Sequence, residues 1–288
     1  MAGDEQPFDN VAGLLQKLRR DGVEAIVITG GEPATYRDLA AVLNRILADG
    51  FEKVVIHTNG AVVDRLDVLS LASNQPSRLQ FVISLHGHTP DTHDNVVSCR
   101  GSFRRVMSLA EWSAAHGVSF AVNSAILREN VAHLHDLVAL TRTIGARSAT
   151  LSLVHDCSLD LRFKAPMLDA ISAVRRVAES AGRVFTTDGI PYCLLRGYEE
   201  VVGESHWPKP LLVISLRGQM FNYKNDLLHD LRCRPEECSE CIMESVCMGV
   251  YREYRSDLQR IYTGPIKRPK QSAPVVREAC GGPCAGEP

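Results

Sequence analysis

Val27-Ile28-Thr29-Gly30-Gly31-Glu32-Pro33 is the stretch whose reading decides the fold. An apolar strand pattern stops abruptly at two glycines, a carboxylate and a proline. Glycine adopts backbone angles closed to other residues and lets a chain approach a ligand closely. Glu32 then sets an acceptor at the C-terminal end of a strand, where α/β proteins assemble their sites. The surrounding pattern shows what kind of sheet this strand belongs to.

Upstream, residues 8–20 read as a helix with Val11, Leu14, Leu15 and Leu18 on one face. Residues 24–29 read as a buried strand. Helices are expected over 36–49, 62–72, 102–116, 131–144 and 166–181. Strands are expected over 53–57, 79–85, 118–126 and 149–154, with a last one over 184–186. Ser102 is placed to cap its helix, and Gly117 and Gly145 stand just past helix ends. Strands alternating with helices through short loops give the α/β class, with βαβ units, a parallel sheet and right-handed crossovers. From about residue 190 the periodicity fades, Pro, Gly and Cys rise, and residues 211–216 are the only clear strand.

Composition limits the function. The chain has 288 residues, 45% hydrophobic and 23% charged, with a net charge of −2. That suits one large domain with a small appendix. No basic excess points to nucleic acid. No apolar run reaches the ~18 residues of a membrane span. The polar, acidic start Met1-Ala2-Gly3-Asp4-Glu5 is unlike a signal peptide, so a reducing cytoplasm is expected and the nine cysteines are not read as disulfides. Four of them, Cys233, Cys238, Cys241 and Cys247, fall within fifteen residues. Such grouping reads as metal or cluster ligation, with zinc on these four as one alternative.

Three further strand ends carry polar residues like those at Gly30 to Pro33. They are His57-Thr58-Asn59-Gly60, Ser84-Leu85-His86-Gly87, and Asn123 with Asn130 after it. In order and spacing these four tips resemble the radical S-adenosylmethionine (SAM) enzymes. The resemblance implies a partial (β/α)6 barrel, lacking its first strand, over residues 1–187. It implies that Gly30, Gly31, Glu32 and Pro33 hold the amino group of SAM. Ser84 and Asn123 would bind its carboxylate or ribose, and Asn59 the adenosine side. The implied chemistry is reductive cleavage of SAM to a 5′-deoxyadenosyl radical. That radical abstracts hydrogen from a small-molecule or peptide substrate, with an electron donor as a further partner.

The family's first strand leads into Cys-x-x-x-Cys-x-x-Cys, the triad that holds the cluster on which SAM is reduced. This sequence has no such run: Cys280 and Cys284 begin one, but Glu287 stands at its third position. Two expectations follow. Either this sequence starts just after that loop, or the barrel is degenerate and serves as a non-catalytic binding or partner protein with a structural zinc or cluster. Residues 188–264 resemble the SPASM and twitch extensions, which hold an auxiliary [4Fe-4S] cluster. That resemblance joins Cys193 to Cys238, Cys241 and Cys247, with Cys233 as an alternative ligand. Residues 265–288 hold five prolines and are expected to be disordered.

Smaller expectations concern the loop after Ser84. His86, His88 and His93 crowd it, and line a polar mouth or, as His-x-His, chelate zinc. Cys157, after His155-Asp156, is a weak candidate nucleophile.

Overall fold

Six parallel strands form one sheet in the order β1 to β6. They are β1 (Ala25–Ile28), β2 (Lys53–Thr58), β3 (Leu79–Ser84), β4 (Phe120–Ile126), β5 (Ala149–Leu153) and β6 (Phe185–Asp188). This computed structural model describes residues 8–154, 164–181, 184–206, 212–214, 220–222 and 231–267. The helices of this part are α1 (Phe8–Arg20), α2 (Leu39–Ala48), α3 (Leu66–Asn74), α4 (Pro90–Val97), α5 (Ser102–Ala115), α6 (Leu134–Thr143) and α7 (Met167–Ala181). The architecture is that of a partial barrel. Cys157 and residues 268–288 of the expected tail lie outside the described residues.

Alternation along the strands explains the packing. Val54 and Ile56 of β2, Phe81 and Ile83 of β3, and Phe120, Val122 and Ile126 of β4 are buried in one core with Leu43, Val68, Leu109, Val138 and Val174 of the helices. Each such side chain contributes ~1.5–3 kcal/mol by leaving water. The intervening residues, Val55, His57, Val82, Ser84, Asn123 and Ala125, are only half-buried and line the other, concave face.

Several expectations change. The strand expected to be buried over 24–29 is sealed on one face only, with Val27 50% exposed. Its other face is the concave one. The helix expected from residue 36 begins at Leu39, because Pro33–Thr35 form a separate 3-10 turn. Residues 90–97, which the sequence pattern places in the loop after Ser84, form α4, which starts on Pro90 with the Thr89 hydroxyl accepting the Thr92 N–H. Their polar composition hides the helical period, while the cap and the N-terminal proline secure it. Ser102 does not cap α5. Gly101 occupies that position, and the Asp94 carboxylate accepts the N–H groups of Gly101 at 2.6 Å and Phe103 at 2.8 Å. An anion at a helix start is stabilising, and these two donors, Phe103 first, hold the Asp94 carboxyl below its ordinary range.

The appendix contains two short antiparallel pairs, β7 (Leu212–Ile214) with β8 (Met220–Asn222) and β9 (Arg232–Cys233) with β10 (Val250–Tyr251), followed by α8 (Arg255–Ile261). Arg232, 4% exposed, fastens it to the barrel. Its guanidinium donates to Glu204 at 2.6 Å, to Asp188 at the end of β6 at 2.7 Å, and to the Tyr251 hydroxyl at 3.0 Å. Tyr251 in turn donates to Asp188 at 3.1 Å. Gly189, at φ +87°, lets the Tyr251 ring approach, since a Cβ there would meet the ring at 2.5 Å. Among the described residues no helix is long and apolar enough to cross a membrane.

Removing one partner of a buried ion network strands the others without compensation, at ~3–5 kcal/mol. Arg232→Ala is therefore expected to destabilise the protein by about that amount, read as a lowered midpoint in urea unfolding. An unchanged midpoint would show that the clamp is dispensable.

Candidate functional site

Where a parallel ladder runs out, the backbone N–H groups at the strand tips need new acceptors. Glu32 supplies them for the first two tips. Its Oε1 accepts the Ala34 N–H at 3.0 Å and the Thr58 hydroxyl at 2.9 Å, and its Oε2 accepts the Asn59 N–H at 2.7 Å. The carboxylate thus locks the turn after β1 onto the end of β2. Gly30 and Gly31 sit at φ +91° and +54°, and a Cβ on either would meet only open space. Pro33, which follows them, is buried.

Register brings the next residues together. Thr58 pairs with Ile83, so Asn59 falls beside Ser84, and Ser84 pairs directly with Asn123. Asn59 turns its Oδ1 to the Ala61 N–H at 3.1 Å. The Asn123 Oδ1 accepts from Ser152 at 3.1 Å, which leaves the amide Nδ2 as its donor toward the concave face. Asn59, Ser84, Asn123 and Ser152 therefore form one polar band across the C-terminal ends of β2 to β5. His57 lies on the same face, and burial pushes its pKa down. His57 opens the strand end that the sequence marks, whereas Ser152 does not stand out, being one polar residue inside a strand pattern.

The histidine loop divides. His86 Nδ1 accepts the Ala125 N–H at 3.2 Å, and His93 Nδ1 accepts the His86 N–H at 3.0 Å. The two rings stack with centroids 5.9 Å apart, and His93 Nε2 lies 3.2 Å from the Ser102 hydroxyl. Asn130, 1% exposed, stitches the neighbouring loops together by donating to the carbonyls of His86 and Ala125 and accepting from the Leu127 N–H. Asn130 is thus a satisfied internal strut rather than part of the concave band. Burial, helped by His93, pushes the His86 pKa down to about 4. His88 turns away from both.

The cysteines separate in the same way. Cys193, Cys238, Cys241 and Cys247 line one pocket with Tyr262. Cys233 does not line it; it lies in β9 opposite Val250 and beside Arg255 and Arg252. Burial and the three neighbouring thiols push the Cys193 pKa up to about 12. The Cys247 sulfur accepts the Gly249 N–H at 3.4 Å, and the Tyr262 hydroxyl lies 3.9 Å from Cys238 Sγ. N–H donors and a hydroxyl directed at sulfur are partners that suit bound thiolates.

Residues 2–141 match the radical SAM superfamily. The chain carries a radical SAM domain. It is 29% identical to the PqqA peptide cyclase of Ruegeria pomeroyi over 182 residues, which covers 62% of this chain and 46% of that protein. It is 26% identical to the subtilosin biosynthesis protein AlbA of Bacillus subtilis over 47% of this chain and 30% of that one. The matches thus span less than half the length of these relatives. Among solved structures, SuiB of Streptococcus suis covers 93% of this chain and 71% of its own, with a TM-score of 0.65 at 15% identity. Native anSMEcpe with bound AdoMet covers 88% and 81%, with a TM-score of 0.63 at 12% identity. At these identities the structural likeness shows the fold.

His86 stays neutral in the folded radical SAM domain down to about pH 4, whereas an unfolded chain protonates it near 6.5. The unfolded state then binds the extra proton first, so stability falls as pH drops from about 6.5 toward 4, by up to about 3 kcal/mol. His93 and His57, also shifted down by burial, add to the same slope. Urea unfolding across this range is expected to show the loss, and His86→Gln to flatten it. A wild-type profile that is level from pH 7 to about 4 would contradict the assignment.

Proposed function

We propose that this chain provides the SAM-holding barrel and an auxiliary iron–sulfur region of a peptide-modifying radical SAM enzyme. The observation that carries this reading is the polar band of Asn59, Ser84, Asn123 and Ser152 beside the open glycine turn, all at one end of the sheet. Polar side chains on an otherwise apolar strand surface need partners, and a nucleoside bearing an amino-acid group supplies them. One-electron reduction of bound SAM by an iron–sulfur cluster would release methionine and a carbon radical able to take a hydrogen atom from the substrate.

The residues of this chain bind and orient. Glu32 is held by three donors, so it fixes the turn and presents the Gly30 and Gly31 backbone to the amino group. Asn123, its oxygen engaged by Ser152, offers an N–H to a carboxylate or ribose oxygen. Ser84 adds a hydroxyl on the neighbouring strand, and Asn59 lies on the adenosine side. The half-buried concave face limits water around the reacting carbon. The sequence given holds no three thiolates at the spacing that would carry the cluster on which SAM is reduced.

The cysteine pocket fits an auxiliary [4Fe-4S] cluster better than zinc. Four thiolates on one zinc, at ~2.3 Å each, stand roughly 3.8 Å apart. Among the described residues, no three of the cysteine sulfurs come within 4.8 Å of one another. A cubane spreads its ligands over four irons and so accepts the wider spacing. Its thiols and the SAM chemistry suit a reducing cytoplasm. A peptide substrate follows from relatives whose names are PqqA peptide cyclase and subtilosin biosynthesis protein, and from SuiB, whose structure is known with the precursor peptide SuiA. An electron donor would complete the partners.

Isothermal titration of the anaerobically prepared protein with SAM tests the site. Saturable binding is expected, weakened at least tenfold (~1.4 kcal/mol) by Asn123→Ala combined with Ser84→Ala. No heat of binding in the wild type would overturn the reading. Iron and sulfide analysis tests the pocket separately. Cys238→Ala/Cys241→Ala is expected to lose both, and retention of both would reject the auxiliary cluster.

A further inference from the structure

Among the described residues, and apart from the proposed SAM face and the cysteine pocket, the fold brings one further group of ligating side chains together. His88 lies in the loop between β3 and α4. His133 and Asp136 lie at the start of α6. One ligand atom of each comes within 4.8 Å of the other two. His88 Nε2 is 4.0 Å and His133 Nδ1 3.7 Å from the same oxygen, Asp136 Oδ2. Both distances are too long for a hydrogen bond. They are close to the spread of ligands around a single ion, since metal–ligand bonds of ~2.0–2.1 Å set tetrahedral ligand atoms roughly 3.3 Å apart.

The surroundings favour an ion over a simple contact. The His88 and His133 rings stand 5.1 Å apart and tilted at 40°, so neither stacks flat on the other. His135 Nδ1 lies 3.5 Å from the opposite carboxylate oxygen, Asp136 Oδ1, which leaves Oδ2 to converge with the two imidazoles. The loops that carry the ligands are already tied. Asn130 donates to the His86 carbonyl at 2.9 Å and to the Ala125 carbonyl at 2.8 Å, fixing the His88 loop against the approach to α6.

We propose that His88, His133 and Asp136 bind a zinc-class divalent cation at the rim of the barrel. Two imidazoles and one carboxylate oxygen hold the ion, and water takes the remaining position. This donor set suits zinc, cobalt or nickel, and excludes the thiolate-seeking copper(I). The bound ion would pin the loop after β3 to the first turn of α6. None of its three ligands lines the cysteine pocket, so the two sites load independently. His86 and His93, the other histidines of the loop, are committed to backbone N–H groups and take no part.

The test loads the iron–sulfur-reconstituted protein with zinc, removes weakly held metal by buffer exchange, and counts zinc by plasma mass spectrometry. Wild type is expected to retain a zinc that His88→Ala and His133→Ala each lose, with affinity lowered at least ~10-fold. Cys238→Ala/Cys241→Ala should keep that zinc, and His135→Ala should also keep it. Cobalt in the same position should show visible ligand-field bands that vanish in His88→Ala, while the sulfur-to-metal bands of any cysteine-bound cobalt persist. Far-UV melting curves identify histidine variants folded as wild type, and those are the ones compared. No retained zinc in wild type, or equal zinc in wild type and both histidine variants, would overturn the proposal.

Discussion

A parallel strand has two faces, and in this sheet helices seal only one of them. Apart from Thr58 and Ser124, the sealed face is apolar from β2 to β5, and its side chains form one core with α1 to α3 and α5 to α7. That core supplies the stability. The concave face is then free to carry Ser84, Asn123, Ser152 and His57 without weakening the packing. The SAM site proposed above rests on this division, because strand alternation places these polar groups side by side and at one end.

The loops at that end face a common problem. Each strand tip leaves backbone groups that the ladder no longer pairs, and buried ones must find partners. Glu32 solves it for the tips of β1 and β2, and Asn130 for those of β3 and β4. Both are short-range struts that make the rim rigid before any ligand arrives. Preorganisation of this kind lets a site bind without ordering its own loops first. At the far edge, Arg232 does the same between β6 and the cysteine-rich appendix.

Part of this was legible in the residues. Apolar runs ending in Gly30-Gly31, Asn59-Gly60 and His86-Gly87 marked strand tips, because glycine and short polar side chains follow a strand only where the chain must turn. The cysteine spacing marked a ligand set. Other features were hidden. Helix α4 has too few apolar residues to show a period. Ser102 looked like a cap, yet its hydroxyl meets His93, and Asp94 satisfies the helix start from across the loop. Spacing offered four cysteines and the family resemblance added Cys193, and the pairing of β9 with β10 sets Cys233 apart from the other four. His88 looked like one of three neighbouring histidines, whereas its companions are His133 and Asp136.

By itself the sequence determined the order and type of the elements, the parallel class and the residues at the strand tips. Periodicity and turn chemistry are local properties, read within a few residues of one another. Only the tertiary structure decided which polar groups meet. Contacts between Glu32 and Asn59, Ser152 and Asn123, or Arg232 and Asp188 depend on strand register and loop path, and a hydrogen bond tolerates errors of well under an ångström. Those quantities are set by the packing of the whole sheet against its helices.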